Sequence, residues 1–113
     1  MRATVFYRAD AQGNDRPLRI IQGPKTLLGG SMDTDNVSID LVNNEVYTTQ
    51  ESSDSILVFS SRASGDVAPI RILHGPKTQI RFPRRVTVDA VNNLMATGRT
   101  KNSSQQDNAC HRV

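Results

Sequence analysis

The chain has 113 residues and 12.4 kDa, with 36% apolar, 22% charged and 4% aromatic residues, a net charge of +3 and a pI near 9.5. No apolar stretch approaches the roughly 18 residues of a membrane-spanning helix. The lone Cys110 excludes an internal disulfide framework, and the apolar residues are too regularly placed for a disordered chain. Eleven Arg and three Lys are interspersed with eleven acids, a mild balance that permits anionic partners without pointing to nucleic acid.

The first seven residues carry one charge and no apolar run after it, so we expect no signal peptide in this chain. Thr4–Tyr7 reads as a short strand, followed by an Ala11-Gln12-Gly13 turn. Pro17–Ile21 reads as the next strand and stops at Gly23-Pro24, because proline cannot donate to a ladder. Val37-Ser38-Ile39-Asp40 alternates apolar and polar residues. It leads into Asn43-Asn44, a residue type that tolerates the positive φ of a tight hairpin. Glu45–Thr49 and Ser55–Phe59 are rich in β-branched or aromatic residues and bounded by polar turns. Ser64-Gly65-Asp66 marks the next turn, and Pro69–Leu73 the next strand, which stops at Gly75-Pro76. Two further strands are expected near Arg85–Ala90 and Asn93–Gly98, separated by Asn92-Asn93. No window of ten residues has a helical period, so we expect essentially no helix.

The chain repeats itself. PLRIIQGPKTLL at 17–28 and PIRILHGPKTQI at 69–80 share seven of twelve residues at an offset of 52. VSIDLVNN at 37–44 and VTVDAVNN at 86–93 share five of eight at an offset of 49. A weaker match sets Val5-Phe6 against Val58-Phe59. A period near 50 with four short strands fits propeller blades better than helical repeats.

With these residues in place, the chain resembles a β-propeller of the NHL-repeat type. The stretch Phe82-Pro83-Arg84-Arg85-Val86-Thr87-Val88-Asp89 with Asn92-Asn93 is similar to the family's Pro-x-Gly-Ile-x-Val-Asp-x-x-Gly-Asn motif, with Arg85 standing where glycine is usual. Ser55–Phe59 resembles its third strand. The expected fold class is therefore all-β, built from four-stranded antiparallel blades. Residues 1–36 would hold the third and fourth strands of one blade and a connecting loop, and 37–73 a complete blade. Residues 74–99 would hold a loop and the first two strands of a next blade. The counterpart of Ser55–Phe59 falls at Ser104–Asn108, which has no apolar residue, so 100–113 is expected to be a disordered tail. Two blades' worth of chain leaves faces and edges unpaired. We expect a fragment of a larger propeller, or a small protein that completes a ring by self-association.

The resemblance implies that the fourth-to-first and second-to-third connections share one face. That gathers Lys25, Lys77, Arg81, Arg84 and Arg85 with Glu51 and Asp54 as a ligand or partner surface; solvated loop charge is the simpler reading. The duplicated Gly-Pro-Lys-Thr lacks phosphate-loop spacing and is read as a turn. Asp40 and Asp89 are read as turn caps rather than metal ligands or catalytic acids. His74 aligns with Gln22 and has no companion ligands, and His111 beside Cys110 lies in the irregular tail, so no metal site, catalytic residue or cofactor is expected. Some NHL-type propellers bind RNA, and the resemblance carries that implication to Arg81, Arg84 and Arg85. Against it stand few stacking aromatics and the core-like placement of Phe59 and Phe82. The expected function is a non-catalytic module for protein or ligand interaction, with a propeller hydrolase or lyase as the alternative. The sequence leaves the compartment open, since propellers of this type are often exported.

Overall fold

A computed structural model describes residues 3–28, 36–50, 53–102 and 105–112, with side chains up to residue 98. The described residues form nine strands in three antiparallel sheets. The first sheet pairs β1 (Ala3–Phe6) with β2 (Arg19–Gln22). The second has the order β3 (Val37–Asp40), β4 (Glu45–Gln50), β5 (Ser55–Ser60) and β6 (Arg71–Leu73). The third has the order β7 (Val86–Asp89), β8 (Leu94–Asn102) and β9 (Gln105–Arg112). Helix is confined to two three-residue 3₁₀ turns, Pro24–Thr26 and Pro76–Thr78. The architecture is all-β. Among the described residues no helix is long and apolar enough to cross a membrane.

The repeat in the sequence is a repeat in backbone conformation. Val37↔Thr48 and Asp40↔Glu45 recur, 49 residues on, as Val86↔Thr97 and Asp89↔Leu94. Val5↔Ile20 and Phe6↔Arg19 recur, 52 residues on, as Leu57↔Ile72 and Val58↔Arg71. Gly23 and Gly75 have φ of 138° and 110°, Leu27 and Gln79 have 65° and 63°, and Asn44 and Asn93 both have 56°. The ladder corrects one alignment: Val5-Phe6 corresponds to Leu57-Val58, not to the identical letters Val58-Phe59. A one-residue slip matters because it would turn every side chain to the opposite face.

The strands are short because each is bounded by a turn with its own chemistry. Asp40 Oδ1 accepts the N–H groups of Val42 (2.9 Å) and Asn43 (3.0 Å), and Oδ2 accepts Asn43 Nδ2 (2.7 Å). Asp89 repeats this with Asn92 N–H at 3.2 Å and Nδ2 at 2.8 Å. Both acids are therefore Asx-type turn caps. In the Gly-Pro-Lys-Thr turns, proline takes the first 3₁₀ position and threonine closes the turn. Thr26 Oγ1 donates to Gly23 O and accepts Leu28 N–H, and Thr78 does the same with Gly75 O and Ile80 N–H.

The four-stranded sheet lies between the other two. On one face, Leu57 and Phe59 pack with Ile21 and Leu28, joined by Phe6, Ala63 and Val67. On the other, Tyr47, Ile56 and Val58 pack with Ile80, Val86 and Met95. Alternation along β5 sends Leu57 and Phe59 one way and Ile56 and Val58 the other, which lets one strand serve two cores. A parallel bridge between Ile21 and Gly65 ties the first sheet to the β5–β6 loop.

Two expectations are corrected. The expected disordered tail contains β9, which pairs with β8 from Leu94↔Arg112 to Asn102↔Gln105. A hairpin ladder is satisfied by its own main chain, and an adjacent strand has little closure entropy to overcome, so pairing needs no apolar pattern. Phe82, read as core, is 56% exposed; its neighbour Pro83 is fully buried instead.

Candidate functional site

A cleft of about 480 Å³ lies where the turn before β5 meets the β6–β7 connection. It is lined by Ser53, Asp54, His74, Gly75, Ile80 and Arg81, with Pro76 at its side. Ile80 supplies a buried apolar floor, Pro76 adds an exposed apolar side, and the other lining groups are polar or backbone. In the wall, Phe82 N–H donates to Asp54 Oδ1 at 2.8 Å. Both residues have positive φ, 49° at Asp54 and 42° at Phe82. Asparagine and aspartate visit that region with modest cost, whereas a bulky residue there is an outlier, and such strain concentrates at ligand clamps. The consequence here is that an aromatic ring projects to solvent just after Arg81.

The nearby termini of β3, β4 and β7 are tied to the same end of the molecule. Asn36 Oδ1 accepts Val86 N–H at 2.9 Å, and Gln50 Nε2 donates to Leu27 O at 2.8 Å. Of the residues expected at a partner surface, Asp54 and Arg81 line the cleft. Lys77, Arg84 and Arg85 are exposed on the connection that runs from it to β7. Lys25 belongs to the other copy of the turn, where its N–H donates to Asp66 Oδ1 at 2.7 Å. Glu51 lies outside the described residues. Ser53 and His74 fall within the stretches the sequence gathers at this face without being singled out, His74 being weighed as a metal ligand and set aside, and Phe82 is read as core-like. A Phe-Pro dipeptide immediately after a basic residue was the available signal for a strained, outward-facing turn.

The two turns differ in what fills them. Asp66 approaches Gly23 so closely that a Cβ there would sit 2.3 Å from Asp66 Cγ, whereas nothing lies within 4 Å of the same position on Gly75. The first turn is thus closed by a carboxylate and the second stands open to the cleft.

A second polar cluster lies away from the cleft, in the four-stranded sheet. Arg71 donates to both oxygens of Glu45, at 2.7 and 3.1 Å, and to Tyr47 Oη at 3.0 Å, while Tyr47 Oη donates to Glu45 at 3.1 Å. The Arg71 hydrogen bonds hold the Glu45 carboxyl below its ordinary range. Burial, then Glu45, pushes the Tyr47 hydroxyl up to about 12. The hydrogen bonds from Arg71 brace β4 against β6 across β5. Among the described residues no three His, Cys, Asp or Glu side chains gather as a metal site.

No protein-family model matches the chain, and no curated protein matches it in sequence.

Proposed function

We propose that the chain is a non-catalytic repeat module of the β-propeller, NHL-like kind that binds an acidic segment of a protein partner at its loop face. The observation that carries this reading is the connection from Lys77 to Arg85. It sets exposed cations around a cleft and projects the Phe82 ring from a strained turn held by Asp54. Cations raise the encounter rate with an acidic chain, and an exposed aromatic supplies a desolvated anchor. The stacked sheets behind it supply a rigid base, since each loop is anchored in a ladder and two cores. The resemblance of the repeat to NHL-type blades supports the same reading.

The test is calorimetric titration with an acidic peptide and with a neutral peptide of equal length. Binding of the acidic peptide should weaken at least tenfold in Arg81→Glu/Arg85→Glu and several-fold in Phe82→Ala, and should fall with added salt. Equal binding of the neutral peptide, or tighter binding of a single-stranded RNA with a steep salt slope, would overturn the proposal.

A further inference from the structure

We propose that β1 of one copy displaces β9 from β8 of a second and takes its place, so that chains join head to tail through a shared four-stranded sheet. This rests on the repeating-unit reading above, but not on the acidic ligand. The registers supply the argument. β1–β2 repeats the register of β5–β6, and β7–β8 repeats that of β3–β4. The order β7-β8-β1-β2 across two copies therefore reproduces β3-β4-β5-β6 within one.

Three features fit that junction. The first is the edge. Among the described residues β1 pairs with β2 alone, and its other edge corresponds to the edge by which β5 pairs with β4. An unpaired edge is a template for a strand from another chain. The second is cover. Val37 and Ile39 on β3 are 42% and 50% exposed, whereas their repeat counterparts Val86 and Val88 on β7 pack against the four-stranded sheet, Val86 to 3%. A β7–β8 pair from a second copy, set beside β1–β2, continues that same interface over Val37 and Ile39. The third is composition. The third-strand position is buried on both faces in β5, which fills it with Ile56-Leu57-Val58-Phe59. β1 offers Thr4-Val5-Phe6 for the same place, while β9, which takes it within one chain, reads Gln-Gln-Asp-Asn-Ala-Cys-His-Arg. Hairpin proximity favours β9 in a dilute chain, and burial favours β1 as the concentration rises.

The pairing is specific. Thr48↔Leu57 in the four-stranded sheet translates to Thr97↔Val5 between copies. Each junction uses different surfaces of the two partners, so the contact is heterologous and propagates until it closes.

The test uses full chains carrying Cys110→Ser. One carries Val5→Cys and the other Thr97→Cys. Under mild oxidation the mixture should give a mixed disulfide dimer, and neither protein alone should. In parallel, light scattering of the natural chain should show a mass that rises from 12.4 kDa to a discrete multiple between micromolar and millimolar concentration. Val5→Asp, at a position exposed in the single chain, should stay monomeric with an unchanged circular dichroism spectrum. A natural chain that remains monomeric throughout, or Val5→Cys that cross-links to itself, overturns the proposal. A monomer that still binds the acidic peptide separates this failure from failure of the binding reading.

Discussion

The four-stranded sheet and the three-stranded sheet share a backbone register and a turn cap but differ in the side chains that surround them. In the first, Glu45 and Tyr47 on β4 are buried or half-buried and locked to Arg71 on β6. In the second, the same positions on β8 are Leu94 and Ala96, and no β6 counterpart is present among the described residues. The turns show the same divergence: Asp40 is 1% exposed, and its counterpart Asp89 is open to solvent. Main-chain pairing and turn caps are set by the repeated residues, whereas side-chain energetics are set by what covers each copy. Duplicated letters therefore do not carry duplicated stability.

The sharpest way to break the equivalence is in the cores. Phe59 is fully buried within the cluster that joins the first two sheets. Phe59→Ala removes an aromatic ring and leaves a cavity, at a cost of about 3–5 kcal/mol. Val86 sits at the junction of the second and third sheets, and Val86→Ala should cost less, about 1.5–3 kcal/mol. Urea unfolding at one pH measures both, and equal losses would mean that the sheets share their burden evenly.

The turns give the next largest contrast. Gly23→Ala and Gly75→Ala both place a Cβ at positive φ, which strains either turn. Only Gly23→Ala also expels Asp66 from the Lys25 N–H. Losing that charge-assisted bond should make it the worse variant by about 1.5–3 kcal/mol. The same unfolding assay decides, and Gly75→Ala proving equal would show that something also fills the second turn.

The sequence exposed the parts of this fold that depend on local chemistry. Asp40-x-x-Asn43 and Asp89-x-x-Asn92 announced their caps, and the two Gly-Pro-Lys-Thr copies announced identical turns, because each motif satisfies its own backbone within a few residues. Register was less legible. The letters Val-Phe at 5–6 and 58–59 suggested an alignment one residue away from the ladder, since a two-residue match cannot fix which face points inward. β9 was invisible because main-chain pairing leaves no apolar trace. Of the cleft, the cations and Asp54 were legible as loop charge. Phe82 was not, because an outward-facing aromatic depends on a strained φ that composition does not reveal.

Acid titration supplies the smallest contrast and the one that isolates the caps. Burial opposes ionisation of Asp40 most strongly, yet the hydrogen bonds from Asn43 and Val42, with the charge of Arg71 beyond them, hold its carboxyl below the ordinary range. Glu45 is lowered as well, chiefly by Arg71. A carboxyl that is more acidic folded than unfolded contributes stability that is complete above its unfolded value, near 4. That contribution is lost as pH falls through the folded value. Stability should therefore be flat from pH 7 to about 5 and decline below about 4. Asp40→Asn should shallow that decline, because the amide cannot titrate and keeps an acceptor for the turn. Asp89→Asn should shallow it as well, since the hydrogen bonds from Asn92 hold that carboxyl below its ordinary range with little burial to oppose them. Urea midpoints between pH 6 and 3 read both variants, and curves that parallel the natural protein's would mean that the cap hydrogen bonds carry no linkage.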